Sequence, residues 1–295
     1  MLREFKEVFQ RPHNGHIRLI IINVSVFLLF SVLYVVCEVT ELLPVNEAVR
    51  KYLAIPPKME DFLRCPWTVI TYAFVHSQKD LFHILFNMVA LYWFGRLFVE
   101  YLGSAKVIAV YILGALAAAA FYLTLFNTIP FFMERSAHFN GMVGASGAVF
   151  AVMAGIATLL PDYSFYLLFL GPVRIKYIAA FYIVLSFIGT VGENAGGNVA
   201  HLGGALMGYI YIKQLQAGKN FGGWITRLLD LLSFRKSKVR VTYRRQGPPQ
   251  PKKPEKTTIA SQEEIDAILD KISEGGYESL SREEKEKLFK AGEKN

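Results

Sequence analysis

Residues 139–160 read FNGMVGASGAVFAVMAGIATLL, with Ser146 set between glycines at the head of a run otherwise built for lipid. A helix that crosses a bilayer needs about 20 apolar residues, because the hydrocarbon core has no water to satisfy backbone groups. Working outward from this stretch, six runs come close: 17–39, 81–99, 107–126, 142–160, 177–191 and 194–212. Arg96 interrupts the second and Lys176 edges the fifth, so each relies on a cation snorkelling to an interface. The expected architecture is all-α, a polytopic membrane bundle of six transmembrane helices followed by a small helical cytoplasmic module.

Composition agrees. An apolar content of 53% and an aromatic content of 14% exceed those of an ordinary soluble domain, and the charges collect at the ends of the chain. The formal net charge of +8 therefore describes basic membrane flanks and not a nucleic-acid surface. Cys37 and Cys65 supply neither a disulfide framework nor a metal-ligand spacing. The first apolar run, Leu19 to Cys37, exceeds a signal-peptide core and has no small-residue cleavage site after it, so it is expected to stay in the protein.

Short loops set the orientation. Arg3, Lys6, Arg11 and Arg18 in the head, Arg96 and Lys106 in the second turn, and Arg174 and Lys176 in the fourth face the cytoplasm. The turn 127–141 has only Arg135 and the turn 192–198 has no Lys or Arg, which puts both outside and both chain ends inside. The cell (plasma or inner) membrane is the expected location. The loop 41–80 is the exception, lying outside despite Arg50, Lys51, Lys58, Arg64 and Lys79. Within it Val45, Ala48, Val49, Tyr52 and Leu53 repeat at helical spacing, which predicts a short helix partly in the outer leaflet.

Four regions follow: a head at 1–16, the six-helix domain at 17–216, an interfacial and linker segment at 217–256, and a two-helix module at 257–295. In the third region GGWITRLLDLLSFRKSK places Trp224, Ile225, Leu228, Leu229 and Leu232 on one face, with Arg235, Lys236, Lys238, Arg240, Arg244 and Arg245 behind it. This predicts an interfacial helix on anionic inner-leaflet lipid. QGPPQPKKPEK forms a hinge. SQEEIDAILDKI and SREEKEKLF each open with a capping box, Ser261 with Glu264 and Ser281 with Glu284. The stripe Ile265, Ile268, Leu269 and Ile272 is expected to pack on Leu288 and Phe289.

Polar side chains inside spans are costly and rare, so their depths are informative. DLFHILFN brings His83 and Asn87 into the second span from outside, four residues apart on one face. Ser146 lies about one turn into the fourth span, and GGNVAHLGG puts His201 about one turn into the sixth, so all four groups share one depth. Singly each has a bland reading: a small packing serine bonded to the preceding turn, or a histidine or asparagine bonded to a neighbouring helix. Together they supply a hydroxyl nucleophile, an imidazole base and oxyanion donors. Gly144 and Gly147 allow close backbone approach and leave the serine and glycine amides pointing at a developing oxyanion near a helix amino end. Gly204 and Gly208 let the sixth helix press on the fourth. Glu193 in the outer loop is the only nearby acid, so the set is a dyad. Lys176 is on the wrong side to serve as base.

Over roughly residues 60 to 215 the sequence resembles the rhomboid family of intramembrane serine proteases. The resemblance rests on GASG with Ser146, HILFN with His83 and Asn87, AHLGGALMG with His201, Gly204 and Gly208, and the preceding PWTVITYAFVH. It implies Ser146 as nucleophile, His201 as general base, an oxyanion hole of His83, Asn87 and the Ser146 amide, and Phe150 as the ring supporting the imidazole. It also implies a substrate that is the transmembrane segment of another membrane protein, with no metal or cofactor. Many members have Trp-Arg where this chain has Trp67-Thr68, which bears on the structure of the first loop. A non-catalytic protein that binds transmembrane helices is the alternative, and a transporter is disfavoured because repeated halves and broken mid-membrane helices are not seen.

Overall fold

The computed structural model describes residues 13–78, 80–136, 141–167, 169–232 and 261–292. They form two compact units, one within 1–236 and one within 237–295. The head 1–12, the basic cluster after Leu232 and the proline-rich hinge lie outside the described residues.

The first unit is mainly helical. Helix α1 (Gly15–Val39) leads to a loop holding α2 (Leu43–Leu53), α3 (Met59–Arg64), α4 (Thr68–Thr71) and a 3-10 turn (Tyr72–Phe74). The spacing of apolar residues in the loop thus does produce a helix. Next come α5 (Leu81–Leu102), α6 (Ser104–Thr128), α7 (Pro130–Arg135) and α8 (Ser146–Leu159). Strands β1 (Ser164–Leu167) and β2 (Gly171–Arg174) pair antiparallel, and α9 (Ile175–Gly189), α10 (Ala195–Gln216) and α11 (Gly223–Leu232) complete the unit.

Local chemistry sets several boundaries. Asp80 caps α5 by accepting the His83 N–H at 3.0 Å, satisfying one of the donors that a helix start leaves open. Gly103, at φ +86, alone separates α5 from α6; an L side chain would be strained there. Arg96 does not break α5. Pro130 starts α7, where its missing N–H costs nothing.

Among the described residues three helices are long and apolar enough to cross a membrane: α1, α5 and α6. Helices α8 and α9 are apolar but only 14 and 15 residues long. The run expected from 142 yields a shorter helix because residues before Ser146 are spent otherwise: Met142 bridges Ile55, and Gly144 sits at φ +130. Ser146 is therefore the first residue of its helix and not one turn inside. Helix α10 has 22 residues, but Asn198, His201 and its glycines dilute its apolarity. The short hairpin β1–β2 is a departure from an all-α chain. At its base Asp162 pairs with Lys176 at 2.7 Å and Arg174 at 3.2 Å.

Helix α8 is the axis of the unit. Every residue from Gly147 to Ala157 except Phe150 is buried, and its most extensive neighbour is α10, followed by α6 and α5. A Cβ on Gly204 would run into the Gly147 carbonyl oxygen, and one on Gly208 into that of Ala151. Helices α1 and α9 sit outside, with Leu29 at 65% and Phe187 at 67% exposure, as suits lipid-facing surfaces.

Buried polar groups tie the periphery to this axis. Asn23 of α1 donates to the Tyr111 hydroxyl at 3.0 Å, which donates to the Ala73 carbonyl at 2.9 Å. Tyr72 donates to the Ala115 carbonyl at 2.7 Å. The loop is held by Trp67 on the Tyr52 carbonyl, Thr71 on that of Leu53, and Asn127 on that of Pro57. Thr68 is fully buried and donates to the Cys65 carbonyl at 2.6 Å.

Ile225 of α11 is buried while Trp224 and Leu228 are exposed, which splits the expected apolar face: Ile225 packs inward, and the other two face outward. In the second unit α12 (Gln262–Gly275) and α13 (Arg282–Gly292) flank a 3-10 turn (Tyr277–Ser279). Both capping boxes form, Ser261 with Glu264 and Ser281 with Glu284. Within the stripe expected to pack on Leu288 and Phe289, Ile268 is buried and Ile265, Ile272 and Leu288 are half-buried, while Leu269 and Phe289 are exposed. Ion pairs Lys271–Glu284 and Lys287–Glu264 join the helices, at 2.9 and 3.2 Å.

Gly208→Ala tests the close packing of α8 and α10. The added methyl meets a backbone carbonyl that cannot rotate away, so the helices must separate, at a cost of about 1–3 kcal/mol. Thermal unfolding in detergent should show a lower midpoint than the parent; an unchanged midpoint would mean the interface yields freely.

Candidate functional site

The first N–H groups of a helix lack intrahelical acceptors, and the helix dipole favours negative charge there. Ser146 opens α8 at such a position and is half-buried, as are His83 and His201. Gly144 brings His83 to this spot. A Cβ placed on Gly144 would lie 3.2 Å from His83 Nε2 and 3.7 Å from Ser146 Oγ, so the imidazole and the hydroxyl border the same small space. With φ +130 and so little room, the position suits only glycine.

His201 stands on α10, whose close approach to α8 follows from Gly204. Its ring stacks on Phe150, one turn beyond Ser146, with centroids 4.2 Å apart and planes 9° from parallel. Its Nδ1 lies 3.0 Å from Ser186 Oγ of α9. Asn87 is buried and gives one amide N–H to the His83 carbonyl at 2.8 Å, which leaves its second donor for another acceptor. Gly147 faces Ala118 and the Ala200 carbonyl, so it serves helix packing.

Not every expected donor is free. The Gly144 N–H is taken by the Tyr72 carbonyl at 2.9 Å, which removes it from any oxyanion site. The Ala145 N–H is taken by His76 Nε2 at 3.3 Å. His76 is buried and stands edge-on to His83 at 5.9 Å; it is the last residue of PWTVITYAFVH, to which the sequence alone assigned no role. Burial, with the neighbouring His83 adding to it, pushes its pKa down to about 4. Neutral imidazole is the form that can accept the Ala145 N–H, so His76 locks the turn that carries Gly144 and Ser146. Ser186 was missed for a different reason: one serine in an apolar helix looks like a packing residue until its neighbour is known.

A model of the rhomboid domain matches residues 64–216, just over half of the chain, and the chain belongs to the rhomboid family. Residues 255–291 match a second family, a family of unknown function (DUF6576). The RHOMBOID-like protein 12, mitochondrial, of Arabidopsis thaliana is 34% identical over 161 residues, covering 52% of this chain and 47% of that protein. Rhomboid protein 1, mitochondrial, of Saccharomyces cerevisiae is 30% identical over 171 residues, covering 55% and 44%. The human presenilin-associated rhomboid-like protein, mitochondrial, is 29% identical over 141 residues, covering 46% and 35%. The chain thus spans less than half the length of these relatives.

The lowered pKa of His76 makes a pH test possible. A histidine whose pKa falls on folding binds its proton more tightly when unfolded, so its contribution to stability is present above the unfolded value near 6.5 and is lost as pH falls toward about 4. Gln has an amide oxygen that can accept the Ala145 N–H without titrating. Melting in detergent from pH 7 to 4 should therefore fall less steeply for His76→Gln than for the parent; equal slopes would mean that His76 is not held neutral.

Proposed function

We propose that the protein is an intramembrane serine endopeptidase that cleaves transmembrane segments of other membrane proteins with Ser146 and His201. The observation that carries this reading is the convergence at one helix end: a hydroxyl, an imidazole across Gly144 from it, and a second imidazole held on the adjacent Phe150.

Ser146 Oγ attacks the peptide carbonyl carbon while His201 Nε2 takes its proton. The oxyanion receives the Ser146 amide, His83 and the second Asn87 donor. His201 then protonates the leaving amine, the C–N bond breaks, and an acyl-enzyme remains. Water, deprotonated by the same imidazole, releases the new carboxyl end. No metal or cofactor is needed in this scheme.

Helix length explains how such chemistry works below a membrane surface. At 1.5 Å per residue α8 is roughly 21 Å long, against a hydrocarbon layer of about 30 Å. With its far end at the cytoplasmic interface, Ser146 lies about 10 Å below the outer boundary, reached by water from that side. We take α1, α5, α6, α8, α9 and α10 as the six spans, with α8, the shortest, enclosed by its neighbours, both chain ends cytoplasmic and the cell membrane as location. A substrate helix hides its peptide bonds behind its own hydrogen bonds, so cleavage favours segments with helix-breaking residues near the outer face.

Purified protein in detergent with a fluorescent transmembrane reporter provides the test. Ser146→Ala and His201→Ala should each lose cleavage by a factor of about 10³ or more while melting near the parent temperature, and His83→Ala and Asn87→Ala should each lose about 10²-fold. Equal cleavage by parent and Ser146→Ala would overturn the protease reading. A well-folded parent that cleaves none of several reporters would turn the weight to a protein that binds transmembrane helices.

A further inference from the structure

Helix α9 buries only Ile175, Ala179 and Ser186, spaced four and seven residues apart on one stripe. The first two are apolar packing contacts. The third is a hydroxyl, 4% exposed, beside Phe187 and Ile188 that are 67% and 62% exposed. A hydroxyl buried in a lipid-facing helix is costly unless it has a partner, and its partner is His201 Nδ1 at 3.0 Å.

We propose that Ser186 is a positioning residue for His201, accepting the Nδ1–H on its Oγ and so fixing the tautomer that leaves the Nε2 lone pair free. The inference rests on His201 being the general base. Stacking on Phe150 fixes the plane of the imidazole but leaves open the half-turn rotation about Cβ–Cγ, which keeps the plane and exchanges nitrogen for carbon positions. A bond at Nδ1, directed from another helix, removes that rotation. The role requires the serine to send its own proton to the carbonyl one turn back, a common acceptor for a helical hydroxyl, so that a lone pair faces the ring. When Nε2 takes the Ser146 proton, the Nδ1–H stays on Ser186 Oγ; no proton passes to the serine. The oxygen thus holds the ring as a carboxylate does in a triad, without adding a buried charge.

The arrangement also makes the base depend on the seating of α9. One turn before His201, Asn198 donates to the Gly189 carbonyl of α9 at 2.9 Å, so two polar contacts join α9 to the same stretch of α10. Were α9 displaced, His201 would keep its ring stack and lose its tautomer lock.

The test compares parent, Ser186→Ala and Ser186→Thr in detergent, reading kcat and KM on the reporter and the ¹⁵N signals of the His201 ring, assigned by their absence from His201→Ala. Expected are a parent ring protonated at Nδ1, a Ser186→Ala kcat lower by about 10- to 100-fold with little change in KM, mixed tautomers in that variant, and recovery of both readouts in Ser186→Thr. A parent ring protonated at Nε2, or a Ser186→Ala variant with the parent's kcat and a single Nδ1–H tautomer, would overturn the proposal. The parent spectrum decides even where the alanine variant does not fold. If parent and Ser146→Ala cleave alike, the protease reading fails, and the ¹⁵N pattern still judges the Ser186 bond separately.

Discussion

The backbone contact between α8 and α10 is the constraint on which the rest depends. In lipid there is little hydrophobic drive to bring two apolar helices together, so packing between small residues has to do it. Gly204 rests on the Gly147 carbonyl and Gly208 on that of Ala151. That contact delivers Phe150 beneath His201 and sets the imidazole near the start of α8. A larger residue at either glycine would move the His201 imidazole away from the Ser146 hydroxyl without touching either group.

Around this axis the polar groups divide between those that hold the fold and those that border the space beside Ser146. Tyr72, Tyr111 and Asn23 are buried and mutually satisfied, and they fasten the first loop and α1 to α6. Thr68 closes the turn at Cys65, and the bonds of Trp67 and Thr71 hold the loop alongside it. His76 belongs to the holding group: it spends its nitrogen on Ala145. His83 does not, since its Nε2 borders the space beside Ser146. Two histidines seven residues apart thus have opposite uses, separated by what each faces.

Much of this was legible beforehand. Apolar runs marked the helices, and the capping boxes at Ser261 and Ser281 located both helices of the second unit because capping is a local hydrogen bond. Phe150 and His201 were paired through a family resemblance and are found stacked. The failures were of another kind. Residues 142–145 are apolar enough to continue a helix, yet the pairing of Met142 with Ile55 and the turn at Gly144 keep them out of it. Leu269 and Phe289 belong to apolar stripes, yet they face outward because the stripe is wider than the contact between two short helices.

The sequence by itself determined where helices form, how they are capped, and which residues carry a hydroxyl, an imidazole or an amide, because hydropathy, capping and residue chemistry act over a few neighbouring positions. Only the tertiary structure decided that Ser146 stands at the first position of α8, that the Gly144 amide is engaged by Tyr72, and that Ser186 meets His201 Nδ1. Those outcomes depend on contacts between segments far apart in the chain, where a shift of one turn exchanges a buried partner for lipid.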